Sequence, residues 1–134
     1  MKAARLSGIL LLMEDDAGVR EVSARALRAG GFQVLAAAGA GEAMELAARS
    51  PGPIDVLVTD VVMPGVNGKA LAEELRRRRP DLRILYVSGY PDDIIGRHGV
   101  LDRGVEFLAK PFTPVDLVDR VGALMSGASV PPPR

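Results

Sequence analysis

Five short apolar runs set the limits on this fold: Ile9–Met13, Phe32–Ala37, Val56–Thr59, Ile84–Val87 and Val105–Ala109. They are rich in Val, Ile and Leu, too short for helices, and interrupted only by Gln33, Thr59 and Glu106. Runs of that kind suit strands buried on both faces, as parallel sheets require. Segments of helical spacing lie between them. Ala17–Ala29 puts Val19, Val22, Ala26 and Leu27 on one face and Arg20, Glu21, Arg25 and Arg28 elsewhere, then stops at Gly30 and Gly31. Gly41–Arg49 and Lys69–Arg79 follow the same period, the second halted by Pro80. Thr113–Met125 opens on "TPVD", with Thr113 as N-cap, Pro114 at the first helical position and Asp116 at the third. Strand and helix thus alternate five times. That order predicts an α/β fold with a doubly wound, five-stranded parallel sheet, right-handed crossovers and helices on both faces. The fourth helix is the weak one: "PDDIIGRHGVLDRGVEF" holds three glycines, so it is expected to be short or irregular.

With 134 residues the chain has the length of one domain with its own core. Lys plus Arg and Asp plus Glu are 17 each, so no net charge draws it to nucleic acid or to an anionic membrane. There is no Cys, which removes disulfides and thiolate metal sites and fits a reducing, cytoplasmic setting. "GILLLM" is far too short to cross a bilayer, and "MKAARLSGILLLM" lacks the small-residue cleavage site of a signal peptide. Residues 1–7 read as a tail, 8–126 as the domain, and 127–134, rich in Gly, Ser and Pro, as a flexible tail.

In an open parallel sheet, chemistry collects beyond the carboxyl ends of the strands. There the first run ends in Glu14, Asp15 and Asp16, the third in Asp60, the fourth in Ser88 and Gly89, and the fifth in Lys110 and Pro111. Two carboxylates about 4 Å apart repel by roughly 4 kcal/mol at an effective dielectric near 20. Glu14, Asp15 and Asp60 gathered at one rim therefore call for positive charge, which Lys110 and a divalent cation would supply. An all-oxygen set with open water positions suits Mg²⁺ or Mn²⁺, not zinc. A carboxylate beside both cations can attack a phosphoryl group, with Ser88 donating to one of its oxygens. Asp60 is the candidate nucleophile. The turn "MPGVNG" after it would bring in a backbone carbonyl, that of Val62, as a further metal ligand. Asp16 is read as the N-cap of the first helix and given no chemistry.

The four segments "LLMEDD", "VLVTDVVMPGVNG", "LYVSG" and "EFLAKPF", in that order, make the chain resemble a receiver domain of two-component signalling from about Gly8 to Met125. The resemblance implies a flavodoxin-like strand order, 2-1-3-4-5, and an Asp60 that takes phosphate from a phosphohistidine. The partner would be a histidine kinase domain or a histidine phosphotransfer protein. It implies that Asp15 and Asp60 bind Mg²⁺ directly and Glu14 through water. Ser88 and Lys110 would contact the phosphoryl group, with a cis peptide between Lys110 and Pro111. It also implies a switch in which Ser88 moves inward and the ring of Phe107 turns. Such a domain catalyses its own phosphorylation and dephosphorylation and turns over nothing else. "SGYPDD" through "AKPF" is most similar to receivers at the C-terminus of hybrid sensor kinases, with a free-standing regulator as the alternative. Val62 and Tyr90 stand where fast-dephosphorylating members carry polar residues, so slow loss of the phosphoryl group is expected.

Three other readings fit less well. A flavodoxin-type module would cradle phosphate after the first strand, where "MEDDAG" repels it, and aromatic residues to flank a flavin are few. A phosphatase acting through aspartyl-phosphate would carry a second acid in place of Val62. A phosphorylation-independent lookalike would not need the full set of acids with Ser88 and Lys110. The run Arg76–Arg79 is read as a solvated helix end rather than a nucleic-acid patch. His98 lacks the amphipathic helix that a phosphodonor histidine would need.

Overall fold

A computed structural model describes residues 8–60, 62–63, 66–88, 105–109 and 111–126. Strands β1 (Ile9–Met13), β2 (Gln33–Ala37), β3 (Val56–Asp60), β6 (Arg83–Ser88) and β7 (Val105–Ala109) form one parallel sheet in the order β2-β1-β3-β6-β7. Counting only these five strands, that is the expected 2-1-3-4-5. Between β3 and β6 the chain makes a small antiparallel hairpin, β4 (Val62–Met63) and β5 (Val66–Asn67). The helices are α1 (Ala17–Ala29), α2 (Ala40–Arg49), α3 (Gly68–Arg78) and α4 (Pro114–Ser126). The expected irregular helix within 89–104, with Gly89, Tyr90 and His98, lies outside the described residues, as do Lys110 and both tails.

The near-continuous apolar runs are explained by two cores, one on each face of the sheet. Alternate side chains such as Leu11, Met13, Leu57 and Ile84 pack under α2 and α3 with Ala43, Leu71 and Leu75. Their neighbours Leu10, Leu12, Val58 and Leu85 pack under α1 and α4 with Leu27, Leu117 and Val121. Successive strand residues point to opposite faces, so a strand covered twice leaves little room for a polar residue. Each fully buried Leu contributes about 1.5–3 kcal/mol relative to exposure.

Local chemistry sets the ends of the elements. Asp16 Oδ1 accepts from the Val19 amide at 2.9 Å, which caps α1 as expected. Gly31, at φ 103°, reverses the chain after α1, and the Phe32 amide then reaches back to Leu27 O at 3.2 Å. Phe32, assigned from sequence to the second strand, instead closes this turn and is buried on the α1/α4 side. Thr113 and Asp116 exchange bonds at the start of α4, Thr113 N to Asp116 Oδ2 at 3.1 Å and Asp116 N to Thr113 Oγ1 at 3.0 Å.

The structure divides the apolar face read for α1. Leu27 enters the core with Ser23 and Ala24, whereas Val19 and Val22 are 37% and 57% exposed. The helix carries two stripes, and the sheet takes the one through Arg20, Ser23, Ala24 and Leu27. The arginine run ends α3, and only part of it is the solvated helix end read from the sequence. Arg77 and Arg78 pair with Glu74, whose carboxyl is held below its usual range by the hydrogen bond and charge of Arg77. Arg79 donates to Ala47 O at 2.8 Å and to Gly52 O at 3.2 Å, closing the carbonyl end of α2. Among the described residues no helix is long and apolar enough to cross a membrane.

Candidate functional site

The register of the sheet assembles the rim. Met13 pairs with Thr59 and Asp60 with Val87, so the residue after β1, Glu14, comes level with Asp60. On the far side Ser88 pairs with Ala109, the last residue before Lys110. Glu14, Asp60 and Ser88 therefore stand at the ends of three adjacent strands, with Asp15 one residue beyond. Lys110, with its expected cis peptide, and the side chains of Ser88 and Val62 lie outside what is described.

Asp60 is the last residue of β3 and is half-buried. Its backbone is held from two sides. Thr59, wholly buried, donates its hydroxyl to Asp60 O at 3.0 Å. Gly68, the first residue of α3, lies against the same carbonyl: a Cβ built there would fall 1.8 Å from Asp60 O and 2.9 Å from Asp60 C. The β4–β5 hairpin brings the chain back onto the end of β3, and only a residue without a side chain fits the contact. In the sequence alone Gly68 reads as part of a turn, and nothing marks Thr59.

The acid loop after β1 is similarly braced. Glu14 is 4% exposed; its amide donates to Ala37 O at 3.0 Å and its Oε2 accepts from the Asp16 amide at 3.2 Å. A carboxylate sealed this far from solvent needs such donors. Asp15 is exposed and has no side-chain partner among the described residues. Arg20, from the first turn of α1, donates Nη1 to Glu14 O at 2.8 Å.

Among the described residues no three His, Cys, Asp or Glu side chains gather as a ready-made metal cage. What the rim offers is an exposed carboxylate on Asp15 and a half-buried one on Asp60. That set fits Mg²⁺, which commonly takes one or two carboxylates and keeps several waters for a phosphate to replace.

Phe107, the expected switch aromatic, is half-buried on edge strand β7, paired in register with Tyr86 and packed against the α2/α3 core. Its carbonyl accepts from Arg120 of α4, whose guanidinium is also 3.7 Å from Glu106. Beside the rim, α1 and the start of α4 enclose an open, largely apolar groove of about 770 Å³, with Asp16, Val19 and Val22 on one wall and Phe112 and Leu117 on the other.

The family model for the response regulator receiver domain matches residues 10–122. The sensor kinase CckA of Brucella abortus is 40% identical over 126 residues, which cover 92% of this chain and 13% of that protein. The response regulator receiver protein CpdR of Brucella abortus is 30% identical, over 89% of this chain and 98% of its own. The solved receiver domain of the hybrid histidine kinase CckA superposes with a TM-score of 0.75 at 37% identity, covering 88% of this chain and 99% of that one. The chain thus spans a small part of one relative and nearly all of another.

Proposed function

The chain belongs to the response regulator receiver domain family of two-component signalling, and on that premise we propose that Asp60 is its phosphoacceptor. The observation that carries the assignment is the placement of Asp60 at the end of central strand β3, its backbone locked by Thr59 and Gly68, level with Glu14 and beside Ser88.

In the step proposed, an Asp60 carboxylate oxygen attacks the phosphorus of a phosphohistidine on a partner protein. The Oδ–P bond forms as the P–N bond breaks. The electron pair stays on the ring nitrogen, and with a proton on its other nitrogen the ring leaves as neutral imidazole. Asp15 and Asp60 would hold Mg²⁺, with the Val62 carbonyl as a further ligand and Glu14 acting through water. The bound ion would draw charge from the transferring oxygens. Lys110 neutralises a phosphoryl oxygen, and Ser88 donates a hydrogen bond to another. The acyl phosphate carries roughly −1.5 to −2 where the carboxylate carried −1, and its new acceptor oxygens pull Ser88 inward, so that the Phe107 ring turns into the space vacated.

The donor is a histidine kinase domain or histidine phosphotransfer protein. It docks over the groove between α1 and α4, whose Asp16 end adjoins the acid loop. The likeness to CckA supports the receiver of a hybrid sensor kinase, and the likeness to CpdR supports a free-standing regulator. Incubation with acetyl phosphate and Mg²⁺, followed by intact mass, tests the assignment. One phosphoryl adduct is expected, absent in Asp60→Asn and blocked by EDTA. An adduct that persists in Asp60→Asn would overturn it.

A further inference from the structure

The carboxylate of Asp15 is exposed and lacks a partner among the described residues, so only the backbone on either side can aim it. Both flanking peptides are tethered. The peptide between Glu14 and Asp15 presents its carbonyl to Arg20 Nη1 at 2.8 Å. The peptide between Asp15 and Asp16 gives its N–H to Glu14 Oε2 at 3.2 Å. The second tether is internal to the loop and would move with it. Glu14's own amide ties the loop's beginning to β2 at Ala37 O. Asp16, bonded to α1 through the Val19 and Arg20 amides, fixes the far end of the loop, and Arg20 holds the peptide before Asp15 from the same helix. Arg20 stands on the stripe of α1 that faces the sheet, and its guanidinium turns up to the rim rather than out to solvent.

We propose that Arg20 is a positioning residue for the metal: by gripping the Glu14 carbonyl it presets the Asp15 carboxylate for a divalent cation. This rests on the reading that Asp15 and Asp60 hold Mg²⁺. A guanidinium at an acidic rim has two opposed effects on a cation. Its charge repels the ion, whereas its grip reduces the ordering that binding would otherwise require. The two effects have opposite signs, which makes the role measurable.

The test is Mn²⁺ binding to the full chain, read from the electron paramagnetic resonance of the free ion, for wild type, Arg20→Gln and Asp15→Asn. Melting in EDTA serves as the stability control. Arg20→Gln is expected to weaken Mn²⁺ binding roughly tenfold, the low end for outer-sphere partners of metal ligands. The Mg²⁺ concentration for half-maximal phosphorylation by acetyl phosphate should rise by a similar factor, and the rate at saturating Mg²⁺ should change far less. Unchanged or tighter binding in Arg20→Gln, with binding lost in Asp15→Asn, overturns the positioning role and leaves the metal site standing. Wild-type binding in Asp15→Asn overturns both. Should Arg20→Gln fail to fold, Arg20→Lys is read in its place. It keeps the charge but not the forked reach, and the expected direction and refuting result are the same.

Discussion

Replacing Gly68 by Ala tests whether the start of α3 sets the position of the phosphoacceptor. The added Cβ would lie 1.8 Å from Asp60 O, where ordinary contact begins at 3.4 Å, so the two backbones must part by about 1.6 Å. Neither side of the clash can swing away, since one is the helix and the other the end of a central strand. Gly8 makes the useful contrast: its Cβ would fall 2.1 Å from Met125 Cε, the far end of a flexible side chain. Overpacking of a rigid site costs about 1–3 kcal/mol. At about 2.1 cal/mol/K per residue, 134 residues unfold with an entropy near 0.28 kcal/mol/K, so the melting temperature should fall by about 4–11 °C. Displacing a reacting group by about 1 Å can cost 100-fold in rate. Phosphorylation by acetyl phosphate, measured well below the melting transition at saturating Mg²⁺, should therefore drop by about 10- to 100-fold. Gly41→Ala, whose Cβ meets nothing within 4 Å in exposed helix, is the control and should gain about 0.5–1 kcal/mol. If Gly68→Ala melts and phosphorylates as the wild type does, the contact does not constrain Asp60 and the argument fails.

Three further outcomes are expected. Arg79→Ala strips one hydrogen bond from the carbonyl end of α2 and one from the loop after it and should destabilise by about 1–3 kcal/mol in denaturant titration, with phosphorylation unaffected; a loss no larger than that of Arg77→Ala would refute the cap. The exposed Arg77–Glu74 pair should matter little, and what it adds is present above the ordinary Glu range and fades as pH falls through the lowered Glu74 value. The phosphoryl group on Asp60 should persist for minutes or longer, because Val62 has no polar group to orient an attacking water. Val62→Asn should shorten the lifetime, and a wild-type lifetime of seconds would contradict this.

Much of the molecule was legible because burial on both faces leaves a coarse trace in composition. The five Val, Ile and Leu runs gave the strands, and the strand–helix alternation gave the parallel sheet. Asp16 and Thr113 announced helix starts through chemistry confined to a few residues. What escaped depends on partners distant in sequence or on main chain. The sequence of α1 holds two stripes of similar spacing, and only packing against the sheet decides that Leu27 turns inward while Val19 and Val22 line the groove. Arg20 looked like surface charge because its partner is a backbone carbonyl, which no residue type advertises. Gly68 looked like a turn glycine, since its contact with Asp60 exists only after the hairpin has folded back. Arg79 stood in a run of four arginines, where nothing but the position of α2 singles it out.

The hold of Arg120 on β7 has its own consequence. It grips the carbonyl of Phe107 rather than the ring, so the edge strand and α4 are yoked through main chain and the bond itself places no hold on the aromatic side chain. A rotation of that ring can change what the surface presents without loosening the seam that holds the sheet's last strand in place.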